Sequence, residues 1–88
     1  MNFVDITLGQ VVYSKAGRDS GKRFLITGIE NDLYVLIADG DLRRLEKPKR
    51  KKIKHLGFTD TVIDAIGTKL RDNARVTNAD IRKALKEV

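Results

Sequence analysis

The sequence predicts a mainly β fold: a small SH3-like barrel of about five strands, followed by a C-terminal helical hairpin. Three observations predict it. Short apolar runs rich in branched side chains, separated by turn residues, fill the first half of the chain. In residues 23–29 both alternating sets of side chains are fairly apolar, so the sheet is expected to curl around a core instead of lying flat on water. After Gly57 the apolar period changes from that of a strand to that of a helix.

The first strand is expected over residues 8–14 and the second over 23–29, where Phe24 and Ile26 face one way and Leu25, Thr27 and Ile29 the other. Glu30-Asn31-Asp32 is a tight link to a third strand at 33–38. Asp39-Gly40 carries the strongest turn signal, because both residues accept the positive φ of a two-residue hairpin. Such a hairpin pairs Ile37 with Leu42 and Tyr34 with Leu45. Leu42 and Leu45 cannot share one face of a regular strand, so a bulge is expected between them. Pro48 ends that strand or restricts it to an edge, and a last short strand covers 52–56. Thr59 or Asp60 then caps a helix with Val62, Ile63, Ile66 and Leu70 along its stripe, weakened at Gly67 by about 1 kcal/mol relative to alanine. Asp72-Asn73 ends it. Thr77 or Asn78 caps a second helix carrying Ile81, Ala84, Leu85 and Val88 on one face. Neither helix is long enough to stand alone, so the pair is expected to pack on the barrel or on a partner. The expected organisation is a barrel over 1–57, with a basic edge at 42–55, and a hairpin over 58–88.

The 88 residues leave room for one modest core. The absence of cysteine removes disulfides and thiolate metal sites and fits a reducing, cytoplasmic setting. Met1-Asn-Phe-Val-Asp5 has neither the basic nor the apolar region of a secretory leader. The longest apolar run, residues 33–38, falls far short of the roughly 20 residues that span a bilayer, so a soluble protein without a membrane partner is expected.

The formal charge of +6 is unevenly distributed. Residues 1–41 carry four basic and six acidic groups, a net of −2; residues 56–88 carry six and five, a net of +1. Residues 42–55 hold eight basic groups against Glu46 alone, a net of +7. Such concentration is the electrostatic footprint of a polyanion-binding surface. Pro48 keeps this stretch extended, and its like charges resist helix formation, so it suits a sugar-phosphate chain. A solvated charge run, an import peptide and an anionic-lipid patch are the competing readings. The stretch has no interspersed acids after Glu46 and no apolar anchor beside it, which favours the polyanion.

Gly17-Arg-Asp-Ser-Gly21-Lys22 joins the first two strands, and Lys15, Arg18, Lys22 and Arg23 surround the turn within reach of phosphates. A solvated hairpin reads equally well from spacing alone. A nucleotide-binding phosphate loop does not fit. Ala16 stands where its first glycine belongs, Arg23 where a magnesium-binding hydroxyl belongs, and a strand follows instead of a helix. Tyr13 and Tyr34 have rings able to stack on unpaired bases, but both lie in strand patterns that more often fill a core. The single histidine, His55, cannot anchor a metal site, and Asp5, Asp19, Asp39, Asp41 and Asp60 are scattered among turns and caps. No metal, cofactor or catalytic residue is expected.

The run Gly9-Gln-Val-Val-Tyr-Ser-Lys-Ala-Gly-Arg-Asp-Ser-Gly-Lys22 resembles the KOW motif of ribosomal proteins and transcription-translation factors. The resemblance extends through Tyr34-Val-Leu-Ile-Ala-Asp-Gly40, Leu42-Arg-Arg-Leu-Glu-Lys-Pro48 and Lys54-His-Leu56 to the fourteen-e type of archaeal and eukaryotic large-subunit ribosomal proteins. For their short bacterial relatives it continues through Arg75-Val-Thr-Asn-Ala-Asp-Ile-Arg-Lys-Ala-Leu85. It implies an SH3-like barrel and RNA binding, with ribosomal RNA or ribosomal particles as the partner. The expected contact residues are Lys15, Arg18, Lys22 and Arg23 in the first loop, with Arg43, Arg44, Lys47, Lys49, Arg50, Lys51, Lys52, Lys54 and His55 along the basic edge. Two other classes stay open. In one, the barrel or the 58–88 hairpin is an adaptor for a protein partner; in the other, the hairpin, with Arg82, Lys83 and Lys86 exposed, reads DNA as a helix-turn-helix.

Overall fold

The computed structural model describes residues 6–88, so the reading of Met1–Asp5 as lacking a leader, and of Asp5 as a turn acid, lies outside the described residues. Five strands, β1 (Gln10–Ser14), β2 (Arg23–Ile29), β3 (Tyr34–Ala38), β4 (Lys49–Lys52) and β5 (Leu56–Val62), precede two helices, α1 (Asp64–Arg71) and α2 (Asn78–Lys86). All pairings are antiparallel, in the order β4-β3-β2-β1-β5.

The expected barrel is an open sheet, with β4 and β5 as its two edges. A single 3-10 turn, Ile53–His55, carries the chain from one edge to the other. The four residue steps from Lys52 to Leu56 reach at most about 14 Å, whereas five strands laid flat would put their edge strands about 19 Å apart. The sheet must therefore curl. Two irregularities help it bend: the β2–β3 register slips between Ile26 and Gly28, and the β1–β5 register slips between Gln10 and Val12. Inside the curl lie Val12, Phe24, Ile26, Val35, Ile37 and Leu56.

The second apolar face has a different cover. Val11, Leu25 and Ala38, on the opposite side of the same strands, pack against Ile66 of α1 and Ile81 and Ala84 of α2. The alternation in β2 thus reflects two cores, one enclosed by curvature and one enclosed by helices. Helix α2 is capped as its sequence suggests: Thr77 Oγ1 accepts from the Asp80 N–H, and the Asp80 carboxylate accepts from the Thr77 N–H, at 3.1 and 3.0 Å. The hydrogen bonds from Thr77 hold the Asp80 carboxyl below its ordinary range. Helix α1 ends at Asp72, with Asn73 in the left-handed region at φ 56°.

Three local expectations are corrected. Asp39-Gly40 does not close a two-residue hairpin. The Asp39 carboxylate accepts from the N–H groups of Asp41 and Arg43, both at 2.9 Å, and so opens a longer loop over residues 39–48. Ile37 accordingly pairs with Lys49 instead of Leu42, and Tyr34 with Lys52 instead of Leu45. The strand expected at 52–56 is broken by the 3-10 turn Ile53–His55, with Lys52 ending β4 and Leu56 opening β5. Thr59 and Asp60 lie inside β5, where the Thr59 hydroxyl donates to Val11 O, so neither caps α1; its N-cap is Ile63, with no side-chain bond.

Gly67 has a packing role that offsets its poor helix propensity. A Cβ there would overlap the Leu8 carbonyl, and a Cβ at Gly9 would come within 2.8 Å of Ile63 O. The pair lets α1 pack directly on the backbone that leads into β1. Gly67→Ala is therefore expected to destabilise the fold by about 1–3 kcal/mol through overpacking, although alanine favours helices elsewhere. A lowered urea midpoint with an unchanged slope checks this, and a raised midpoint refutes it.

Candidate nucleic-acid interface

The basic residues occupy four connected places. Lys15, Arg18 and Lys22 are exposed on the β1–β2 loop, which is folded on itself by bonds from Gly21 N to Ser14 O, Ser20 N to Gly17 O and Lys22 N to Asp19 O. Arg43, Arg44 and Lys47 stand on the 39–48 loop. Lys49, Arg50, Lys51 and Lys52 form the edge strand β4, and Lys54 and His55 the 3-10 turn. Alternation in β4 divides its cations between the two faces of the sheet: Arg50 and Lys52 fall on the side of Leu36 and Tyr34, Lys49 and Lys51 on the side of Ile37 and Val35.

Two contacts hold the first loop against this stretch. The Lys15 N–H donates to His55 O at 2.9 Å. Asp19 lies 3.5 Å from the Arg43 guanidinium and 3.6 Å from the Lys49 ammonium, and its side chain is only 15% exposed. Burial pushes the Asp19 carboxyl up, but the charges of Lys49, Arg43 and Lys22 outweigh it and hold the group below its ordinary value. The loop and the stretch are distant in sequence, and the fold makes them neighbours.

Other acids take particular cations. Glu30 pairs with Arg50 at 2.6 Å, and the Arg50 guanidinium lies 3.5 Å over the Tyr34 ring. Glu46 pairs with Arg44 at 3.4 Å. Among the described residues, Lys15, Arg18, Lys22, Lys47, Lys51, Lys52 and Lys54 have no carboxylate within salt-bridge distance. Arg23 is placed differently from the rest of the expected set. Its guanidinium donates to Leu85 O at 2.8 Å and to Val88 O, closing the C-terminal end of α2.

The 39–48 loop is held by α2. Buried Asn78 accepts from the Leu45 N–H at 2.8 Å and donates to the Glu46 carboxylate at 2.7 Å. That donation holds the Glu46 carboxyl below its ordinary range. Arg82 donates to Gly40 O at 2.5 Å, and Gly40, at φ 79°, lies so close to Asn78 O that a side chain there would overlap it. Asp19, Glu30 and Asn78 are the positioning residues missing from the sequence-based set. A lone acid inside a cationic loop is the one signal that marks Asp19; nothing local marks Asn78. Among the described residues no cluster of His, Asp and Glu has metal-binding geometry, and no helix is long and apolar enough to cross a membrane.

No family model matches the chain. Two known proteins resemble it over most of its length. It is 34% identical over 71 residues to "Putative ribosome-binding protein YbzG" of Bacillus subtilis strain 168, an alignment covering 81% of this chain and 96% of that protein. It is 29% identical over 85 residues to "Large ribosomal subunit protein eL14" of Staphylothermus marinus, covering 94% of this chain and 88% of that protein.

Two expectations follow from the loop geometry. Asn78→Ala leaves the Leu45 N–H and a Glu46 oxygen without partners, at a cost of about 1–3 kcal/mol. It should lower the urea midpoint and speed amide exchange at Leu45; unchanged exchange there would refute the latch. Asp19 has a folded-state pKa below its unfolded value of about 3.9. Its stabilisation is therefore complete above that value and is lost as pH falls through the lower folded value. The stability difference between wild type and Asp19→Asn should be constant near neutral pH and shrink below about pH 4. A difference that grows with acidification would reverse the assignment.

Proposed function

The chain belongs to the family that contains YbzG and eL14, and from that premise we propose that it binds RNA, specifically ribosomal RNA within ribosomal particles, through its clustered cations. The observation that carries this reading is the convergence of the β1–β2 loop with the 42–55 stretch, fixed by Asp19 on Arg43 and Lys49 and by Lys15 on His55. The loop lies in the run Gly9 to Lys22 that resembles a KOW motif, here built as β1 and the loop leading to β2, and the curled sheet is the open counterpart of the small barrel that the motif implies. Both relatives are named for ribosomal roles and neither for catalysis, so the chain is a binding protein and not an enzyme. The ribosomal role also supports a cytoplasmic location.

In this reading Lys15, Arg18, Lys22, Lys47, Lys51, Lys52 and Lys54 supply the phosphate contacts, because no acid among the described residues neutralises them. Arg43 and Lys49 contribute less while Asp19 holds them, and Arg23 supports α2. The adaptor and DNA readings draw less support. The apolar residues Ile66, Ile81 and Ala84 that the hairpin would offer a protein partner are covered by the sheet, and Arg82 is bonded to Gly40 O.

If about five phosphates are contacted, affinity for single-stranded RNA should fall with salt at a log–log slope of roughly −3.5. Lys47, Lys52 and Lys54 are exposed, so replacing all three by glutamine should spare the fold. The slope should then shrink by about 2 if each contributes one phosphate contact. Fluorescence anisotropy of labelled ribosomal RNA fragments reads the slope, and sedimentation through ribosome gradients reads the partner. An unchanged slope in the triple variant, or absence from every ribosomal fraction, would sink the proposal.

A further inference from the structure

A depression of about 340 Å³ lies at one end of the basic edge, lined by Asp32, Leu33, Tyr34, Lys52, Ile53 and Lys54. Three hydrogen bonds, one between backbone groups and two to the Asn31 side chain, preform its walls. Ile53 N–H donates to Leu33 O at 2.8 Å, and the Asn31 carboxamide oxygen accepts from the N–H groups of Leu33 and Tyr34 at 2.8 and 3.0 Å. The Tyr34–Lys52 cross-strand pair ties the turn to β4. Leu33 is nonetheless 67% exposed, and Ile29, at the other end of the same turn, is 49% exposed. Neither side chain belongs to either core among the described residues, yet the turn's backbone is hydrogen-bonded in place. A large apolar group is thereby kept in water at the mouth of a preformed recess, an arrangement that suits a flat apolar ligand.

The surroundings restrict what that ligand is. Two ammonium groups, Lys52 and Lys54, flank the apolar walls, and among the described residues neither has a carboxylate partner. Asp32 adds a hydrogen-bond acceptor, and the Tyr34 ring, already carrying the Arg50 guanidinium, contributes a π surface. Apolar walls, one acceptor and flanking cations complement a nucleotide: an aromatic base bearing N–H donors, joined to phosphates. A hydrophobic peptide or a lipid chain would leave the paired lysines without a counter-charge.

We propose that this recess accepts one unpaired base of the bound RNA, with Leu33, Tyr34 and Ile53 against the base and Lys52 and Lys54 on its adjacent phosphates. The inference rests on the RNA-binding reading above and deepens it. The edge cations grip any phosphate chain, and the recess requires a base extruded from its helix or lying in a single-stranded segment.

The test compares full-length protein binding to short oligocytidine and to an abasic ribose-phosphate strand of equal length and charge, at low salt. Wild type should bind the base-bearing strand about tenfold more tightly, the ordinary scale of one stacked base. Leu33→Ser, neutral and at an exposed position, should abolish that preference while leaving abasic binding and the urea midpoint unchanged. Equal wild-type affinity for the two strands overturns the recess proposal but leaves phosphate binding standing, as does a preference that survives in Leu33→Ser. No binding to either strand overturns both readings together. A concentration-dependent dimer that Leu33→Ser dissolves would assign the recess to a second copy of the chain and overturn the base assignment.

Discussion

The attachment of the 39–48 loop to Asn78 and Arg82 of α2 sets where the cations of the basic stretch stand. Asn78 satisfies Leu45 N–H and Glu46 with one side chain, while Arg82 takes Gly40 O. The loop therefore cannot continue β3 directly into a hairpin. It passes over the end of α2 first, and pairing resumes only at Lys49. Without that detour Leu42 and Leu45 would occupy the edge strand. With it, the edge consists of Lys49, Arg50, Lys51 and Lys52, and the leucine at 45 joins the helical core. The helices thus do more than cover an apolar face: they determine which residues the sheet presents at its border.

Packing so many like charges together costs electrostatic self-repulsion, and the structure relieves it selectively. Asp19 takes Arg43 and Lys49, Glu46 takes Arg44, and Glu30 takes Arg50. Asp19 is the most enclosed of these acids, and it bridges two segments instead of pairing within one. Exposed pairs of this kind contribute little to stability individually. Their structural effect is positional, since they fix the first loop and the Arg50 guanidinium while leaving the remaining lysines open to solvent.

Much of the fold is legible in the sequence where local chemistry decides it. Residues Arg23–Ile29 form β2 at the bounds that their alternation indicates, and the Thr77–Asp80 capping box starts α2 where a hydroxyl precedes an apolar period. The reading fails where a distant partner competes for a local signal. Asp39-Gly40 carries the chemistry of a tight hairpin, but the Asp39 carboxylate turns back onto Asp41 and Arg43, and Asn78, distant in sequence, holds the far side of the loop. Gly67 reads as a weak point until the Leu8 carbonyl is found against it. The site divides in the same way. Its cations are visible as a charge run, whereas Asp19 is marked only as the one acid among the loop's cations, and its partners Arg43 and Lys49, like the attachment of Arg23 to α2, appear only in three dimensions.

An open sheet has an unpaired border, and an unpaired border invites a strand from another chain. β5 departs from regular pairing with β1 between Gln10 and Val12, which makes it a poor template. β4 offers a regular register to β3 and, among the described residues, no strand pairs with its outer edge, so it is the strand in need of protection. Four consecutive cations supply it, because a second copy approaching edge to edge would set lysine against lysine with no acid in β4 to compensate. The same charges that repel a copy of this chain attract a phosphate backbone. The proposed RNA contact and resistance to edge-to-edge aggregation therefore make one demand on the sequence, and the curled sheet meets it without closing.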